Sequence, residues 1–233
     1  MPLTINDGMH HQYPNLAKPD SDGVFCYYVQ RRISCIISAY CHSIGMSPNT
    51  ATIIDAIFAV LAGIAFYFHF FIWGVLFIQL FGIWSCVDGE LARLSGKTST
   101  LGDFYDTMVD RAGELIIVTS ILFTFNTAPL ATVWGYLLFA YIGAVFLITN
   151  SSEKFRSTYH KNYPKNRIEP FFSWICAGSD IRLFHLSMAI LWFALTESSS
   201  VLLWVIFLMT GALFINFSLR MRKIYNFDQS ISS

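Results

Sequence analysis

Three aspartates stand at helical spacing within one short stretch of the chain. Asp88 is followed by Gly89, Ala92 and Arg93, and Gly102 is followed by Asp106 and Asp110 at four-residue steps. Residues three, four and seven apart share one face of a helix. Ser85, Asp88, Gly89 and Ala92 therefore line one stripe, and Gly102, Asp106 and Asp110 line another. The link of eight residues between Arg93 and Gly102 makes the two helices antiparallel neighbours whose stripes can face each other. Three carboxylates facing one another at membrane depth do not all stay ionised unless a cation sits among them. A hard oxygen cage of this kind suits Mg²⁺ or Mn²⁺, either of which also bridges phosphate oxygens. The small residues at 89, 92 and 102 leave room for a ligand to reach the backbone, and Arg93 offers a fork for a phosphate. Close helix packing is the other use of such glycines, but packing alone does not explain three acids on the same faces.

The elements that must position these residues are apolar. Only 13% of the 233 residues are charged, against roughly 25% in a soluble domain, and the mean hydropathy is +0.51. Six apolar stretches cover residues 50–71, 72–87, 112–125, 130–149, 183–195 and 201–217. A spanning helix needs about 20 residues. The second, third and fifth stretches reach that length only if helix continues into the polar residues 88–93, 101–111 and 180–182. Such polar helix ends are what a site cut into one face of a bundle requires. Ahead of the first stretch, Phe25, Tyr28, Ile33, Ile36, Ile37 and Tyr40 recur at helical spacing opposite Gln30, Arg31, Ser34 and Ser38. This run is too polar to span and predicts an amphipathic helix lying in the interface. The expected fold is an all-α integral membrane protein. A loose tail (1–22) and the interfacial helix (23–45) precede a six-helix transmembrane catalytic domain (46–223), and a short tail follows (224–233).

Charge placement orients the bundle. With six spans, all 15 Lys and Arg residues fall on one side, and the turns near His69, 126–129 and 197–200 carry none. Both termini and the polar helix ends are therefore expected to face the cytosol. The net charge is zero, and no nucleic-acid partner is expected. Five cysteines show neither a paired motif nor zinc spacing, which suits reduced thiols. Residues 1–22 carry no apolar core of a cleavable signal. Asp55, inside the first span, is read as a second layer around the acids or as a polar residue at the interface. Glu114 is expected to pair with Arg111 one turn away. Asp103 is expected to stabilise a helix N-terminus. The basic loop 154–167 with Arg182 suits either anionic lipid headgroups or a phosphorylated ligand.

The acid-bearing segment resembles the signature of the CDP-alcohol phosphotransferases, Asp-x-x-Asp-Gly-x-x-Ala-Arg and then, seven or eight residues on, Gly-x-x-x-Asp-x-x-x-Asp. Seven of the eight fixed positions match over 26 residues, and Pro48-Asn49-x-x-Thr52 resembles the start of the family's first span. The resemblance implies that Asp88 and Asp106 hold metal, and that Asp110 holds metal and acts as general base on an acceptor hydroxyl. It further implies that Gly89, Ala92, Arg93 and Gly102 contact the CDP moiety. The reaction implied is transfer of a substituted phosphate from a CDP-linked donor, CDP-diacylglycerol or a soluble CDP-alcohol, to an alcohol, with release of CMP. A homodimer among membrane lipid is implied as well. Arg31-Arg32-x-Ser34 and Asp180-x-Arg182-Leu-Phe are similar to members that use inositol phosphate, with Arg156, Arg167 and Arg182 as acceptor-binding candidates. One position departs: Ser85 stands where the family carries its first acid. That leaves two readings, a relative that binds CDP compounds and turns over slowly, or a site in which water, Asp103 or Asp55 compensates. A cation transporter is the alternative of another class, but its acids would be distributed along a path across the membrane rather than gathered at one side.

Overall fold

The computed structural model describes residue 20 and residues 22–125 and 131–232, so most of the expected N-terminal tail lies outside the described residues. Among the described residues there is no strand. A π-helical turn, Cys26–Gln30, leads into α1 (Arg31–Ser43). Two helices follow, α2 (Pro48–Tyr67) and α3 (Phe71–Leu94). Next come α4 (Thr100–Thr124) and α5 (Ala131–Tyr159). The short α6 (Lys165–Ile168) and α7 (Pro170–Ile175) connect to α8 (Ser179–Thr196) and α9 (Ser200–Ser232). The apolar stretches fall largely inside helices, except that the first runs past the end of α2 at Tyr67 through the turn at 68–70, and α3, α4 and α8 continue through the polar residues as their lengths require.

Local chemistry sets the boundaries that matter for the acids. Ser47 Oγ accepts from the Thr50 amide at 3.1 Å and Pro48 occupies the first turn of α2, a favourable N-terminal arrangement. Ser99 Oγ accepts from the Gly102 amide at 3.0 Å and caps α4. Between α3 and α4 the chain reverses through Gly96 at φ +65°, a backbone state that costs glycine little. At Gly113 of α4, a Cβ would lie 2.5 Å from the Phe81 ring of α3, so the absence of a side chain there lets the two acid-bearing helices pack closely.

The apolar core joins Phe66, Ile78, Phe81, Ile117, Ile121, Trp134, Tyr141, Leu186 and Leu213 from α2, α3, α4, α5, α8 and α9. Large apolar side chains also cover the outside, among them Ile53, Phe70, Trp73, Phe139, Phe146, Leu195 and Phe207. Such a surface is suited to lipid rather than water. By length and composition α2, α3, α5 and α9 can each cross a membrane. Helices α4 and α8 fall short of that measure because Asp103, Asp106, Asp110, Arg111, Glu114, Asp180 and Arg182 lie within them.

Helix α1 turns its polar stripe inward. Ser34 and Ser38 are fully buried and Arg31 nearly so, while Tyr28, Ile33, Tyr40 and Ile44 are exposed. Its anchor is Glu90 of α3, which accepts from Arg31 Nη1 at 3.0 Å, Ser34 Oγ at 2.8 Å and Ser38 Oγ at 2.6 Å. Two further buried carboxylates are matched by arginines. Glu114 of α4 pairs with Arg182 of α8 through bonds of 2.7 and 2.8 Å, and Arg111, its expected partner, stands at 3.6 Å. Glu169 pairs with Arg220 of α9 at 2.6 Å. Helix α9 continues through 224–232, the segment set apart in the sequence as a tail. There Phe227 packs on Phe155 and Tyr159, with ring centroids 5.6 and 5.2 Å apart.

Candidate active site

The acid-bearing stripes of α3 and α4 meet the N-terminal half of α2 around a cleft of about 460 Å³. Ser85, Asp88, Gly89, Ala92, Arg93, Gly102 and Asp106 all line it, and Asp110 lies one turn beyond Asp106 on α4. A Cβ at Gly89 would meet only the Arg93 guanidinium, and one at Gly102 only the capping Ser99 hydroxyl. Neither glycine serves helix packing, and both leave open space in the cleft. Arg93 has Nε and Nη2 buried without a hydrogen-bond partner, which leaves two donors for a bound anion. Thr52 of α2 donates to Asp88 Oδ2 at 2.8 Å, and the Gly89 amide donates to the other oxygen of the same carboxylate. The threonine was quoted in the sequence only as part of a resemblance; its bond to Asp88 is a contact between helices that spacing does not reveal.

The electrostatics of this cleft differ from those of the rest of the interior. Glu90, Glu114 and Glu169 each face an arginine. Asp88, Asp106 and Asp110 lie close enough to act on one another and on Asp55 of α2, yet none of the four forms a salt bridge among the described residues. Asp55 is 1% exposed and its Oδ1 has no hydrogen-bond partner. As the side chains stand, no three His, Cys, Asp or Glu residues among the described ones form a ready cation cage. Asp88 is turned towards Thr52 and its own helix backbone, which accounts for part of that. The donor set nevertheless fits a hard divalent ion: it is all oxygen, Asp88 and Asp106 line the cleft, and Asp55 Oδ1 is buried without a hydrogen-bond partner.

Two further cavities adjoin. A groove of about 550 Å³ shares Asn49 and Thr52 with the cleft and runs along Ile53, Ile57, Val60, Tyr105 and Val109 between α2 and α4. Its walls are almost entirely apolar. On the other side, a polar cavity of about 240 Å³ is bordered by Arg111, Arg156, Lys165 and Arg182 together with Ser152, Asn162 and Ser179. Arg156 and Arg182 thus come together there, whereas Arg167 is exposed on α6 and is not part of that lining. Arg156 also pairs with Asp103 at 3.0 Å; Asp103 is exposed and lines the cleft as well.

Residues 45–214 match the CDP-alcohol phosphatidyltransferase family. The chain belongs to that family. Among its relatives within and around the family, a bifunctional IPC transferase and DIPP synthase of Archaeoglobus fulgidus is 28% identical over 169 residues, covering 72% of this chain and 32% of the relative. An archaetidylinositol phosphate synthase of Pyrococcus horikoshii is 34% identical over 79 residues, 34% of this chain and 42% of the relative. The chain spans about a third of the length of the bifunctional relatives it matches. The crystal structure of Mycobacterium tuberculosis phosphatidylinositol phosphate synthase with CDP-DAG bound shares the fold, with a TM-score of 0.67 and 16% identity, covering 83% of this chain and 94% of that one. The chain is therefore a helical, multi-pass membrane member of the CDP-alcohol phosphatidyltransferases.

Proposed function

We propose that this chain transfers a substituted phosphate from a lipid-tailed CDP donor to a phosphorylated alcohol, with release of CMP. The observation that carries the reading is the gathering of Asp55, Asp88, Asp106 and Asp110, none of them in a salt bridge among the described residues, at a cleft lined by Asp88 and Asp106, beside an apolar groove that could hold acyl chains. In this reading the donor's cytidine and diphosphate lie in the cleft against Gly89, Ala92, Gly102 and the unpartnered donors of Arg93. The tails lie along Ile53, Ile57 and Val60. The polar cavity walled by Arg156, Lys165 and Arg182 receives the acceptor, and its cationic border suits an inositol phosphate, in keeping with the names of the relatives. Asp110 takes the proton of the acceptor hydroxyl as the new P–O bond forms and the bond to CMP breaks. Asp88, Asp106 and Asp110 would hold Mg²⁺ or Mn²⁺, which when bound offsets the charge of the diphosphate.

The test is CMP release by the purified protein from CDP-diacylglycerol or soluble CDP-alcohols, offered inositol phosphate or other alcohols, with Mg²⁺ or Mn²⁺. Release from the lipid donor supports the reading, and silence across all donor and acceptor pairs overturns it. Asp88→Asn and Asp106→Asn should each remove the metal-dependent release without lowering the melting temperature. Full activity in either variant would make these acids structural.

The same reading places six spans in the membrane, α1 in the interface with its exposed apolar side towards lipid, and the cleft in the cytosol. The support is the pattern of the sequence, in which all 15 Lys and Arg residues fall on one side if six helices span. A cysteine introduced at the exposed Ser157 should react with a membrane-impermeant maleimide from the cytosolic side alone. Labelling from the opposite side would reverse the orientation.

A further inference from the structure

Ser85 leaves the α3 stripe one acid short, and the packing of α2 against α3 shows where an acid stands instead. Near one end of this helix pair Phe66 lies against Gly74, and near the other Thr52 bonds to Asp88. Both contacts belong to one antiparallel register. In that register the residue opposite Ser85 is Asp55. Each lies three residues deeper than its neighbour in the Thr52–Asp88 contact, a rise of about 4.5 Å along either helix. The carboxyl absent from α3 is thus present at the same depth on the facing helix. Asp55 is 1% exposed, its Oδ1 lacks any hydrogen-bond partner, and its electrostatic neighbours are Asp110, Asp88 and Asp106. A buried carboxyl without a partner is costly, and among the described residues no arginine pairs with it as at Glu90, Glu114 and Glu169. Asp103, the other acid in reach of the cleft, is exposed and engaged by Arg156. Ser85 Oγ reaches only the Gly82 carbonyl of its own helix, at 3.5 Å.

We propose that Asp55 supplies the fourth carboxylate of the cation site, replacing from α2 the acid that α3 lacks at Ser85. This rests on the metal-dependent reading above. It opposes the alternative in which Ser85 makes the chain a slow, CDP-binding relative, because the charge of the site is relocated rather than lost.

The experiment is a titration of the purified full chain with Mn²⁺ alone, followed by electron paramagnetic resonance, with melting temperatures measured in parallel. Asp55→Asn should weaken Mn²⁺ binding by roughly 10–100-fold or more, a range reached even by groups that only orient a ligand. Ser85→Asp in the Asp55→Asn background should restore affinity to near that of the parent, because it returns one acid to the same depth. Ser85→Asp alone should not strengthen binding, since it crowds a fifth carboxylate against Asp55. Parent-like affinity in Asp55→Asn overturns the proposal and leaves the metal reading standing, provided Asp88→Asn loses the ion. Failure of Ser85→Asp to restore binding also overturns it. A parent chain that binds no Mn²⁺ removes the metal reading and this proposal together. Should Asp55→Asn alone not fold, Ser85→Asp/Asp55→Asn is compared with the parent directly: similar affinity supports the exchange, and absent binding rules it out.

Discussion

Asp110→Asn should lower turnover by roughly 10²–10⁴-fold, the scale on which a positioned general base acts. Asn at this position keeps the shape of the side chain and loses the ability to take the proton of the acceptor hydroxyl. Asp110 lies on α4 one turn past Asp106 and does not border the cleft assigned to the nucleotide. CDP affinity should therefore change much less than the rate, measured by equilibrium binding of the nucleotide and by single-turnover release of CMP. If affinity collapses while substantial turnover remains, Asp110 is chiefly a ligand and the base lies elsewhere.

Arg220→Met should cost about 3–5 kcal/mol, the range for removing one partner of a buried ion pair. Arg220 and Glu169 are both fully buried at the side chain. The guanidinium donates to Glu169, to the Ile148 carbonyl at 3.0 Å and to Ser152 at 2.7 Å, and its centre lies 4.4 Å from the Tyr163 ring centroid. Methionine leaves Glu169 charged in an apolar setting with only Tyr163 donating to it, at 2.7 Å. Thermal unfolding in detergent should show a large fall in melting temperature. Adding Glu169→Gln should recover much of that loss, because the uncompensated charge, rather than the missing contact, carries most of the cost. Equal melting of Arg220→Met and the parent would mean that the pair contributes nothing.

The parts of the fold that were legible in the sequence are those governed by local rules. Apolar runs of near-spanning length became helices. The four-residue steps of Gly102, Asp106 and Asp110 report a shared face. Contacts between distant segments were not legible. The sequence offers Arg182 as an acceptor-binding candidate and does not show that its guanidinium is held by Glu114, 68 positions away. The sequence places Arg31 and Ser34 on the polar face of an amphipathic helix, and that face is spent on Glu90, 59 and 56 positions away. A period of 3.6 shows which residues share a stripe and is silent on which way the stripe looks. Asp55 is the clearest instance: its meaning depends on the register of α2 against α3, a relation that no spacing within either helix contains.

The groove along Ile53, Ile57 and Val60 bears on how such a protein samples its donor. Its walls belong to the outer surface of the bundle, where Ile53 and Ile57 are 62% and 49% exposed. A tailed donor would enter from the bilayer plane without ever being dissolved in water. Occupancy would then follow the mole fraction of donor among surrounding lipids, and inert detergent or lipid added at constant total donor would slow the reaction by dilution in two dimensions. The phosphorylated acceptor, arriving through the polar cavity, would still be counted in moles per litre.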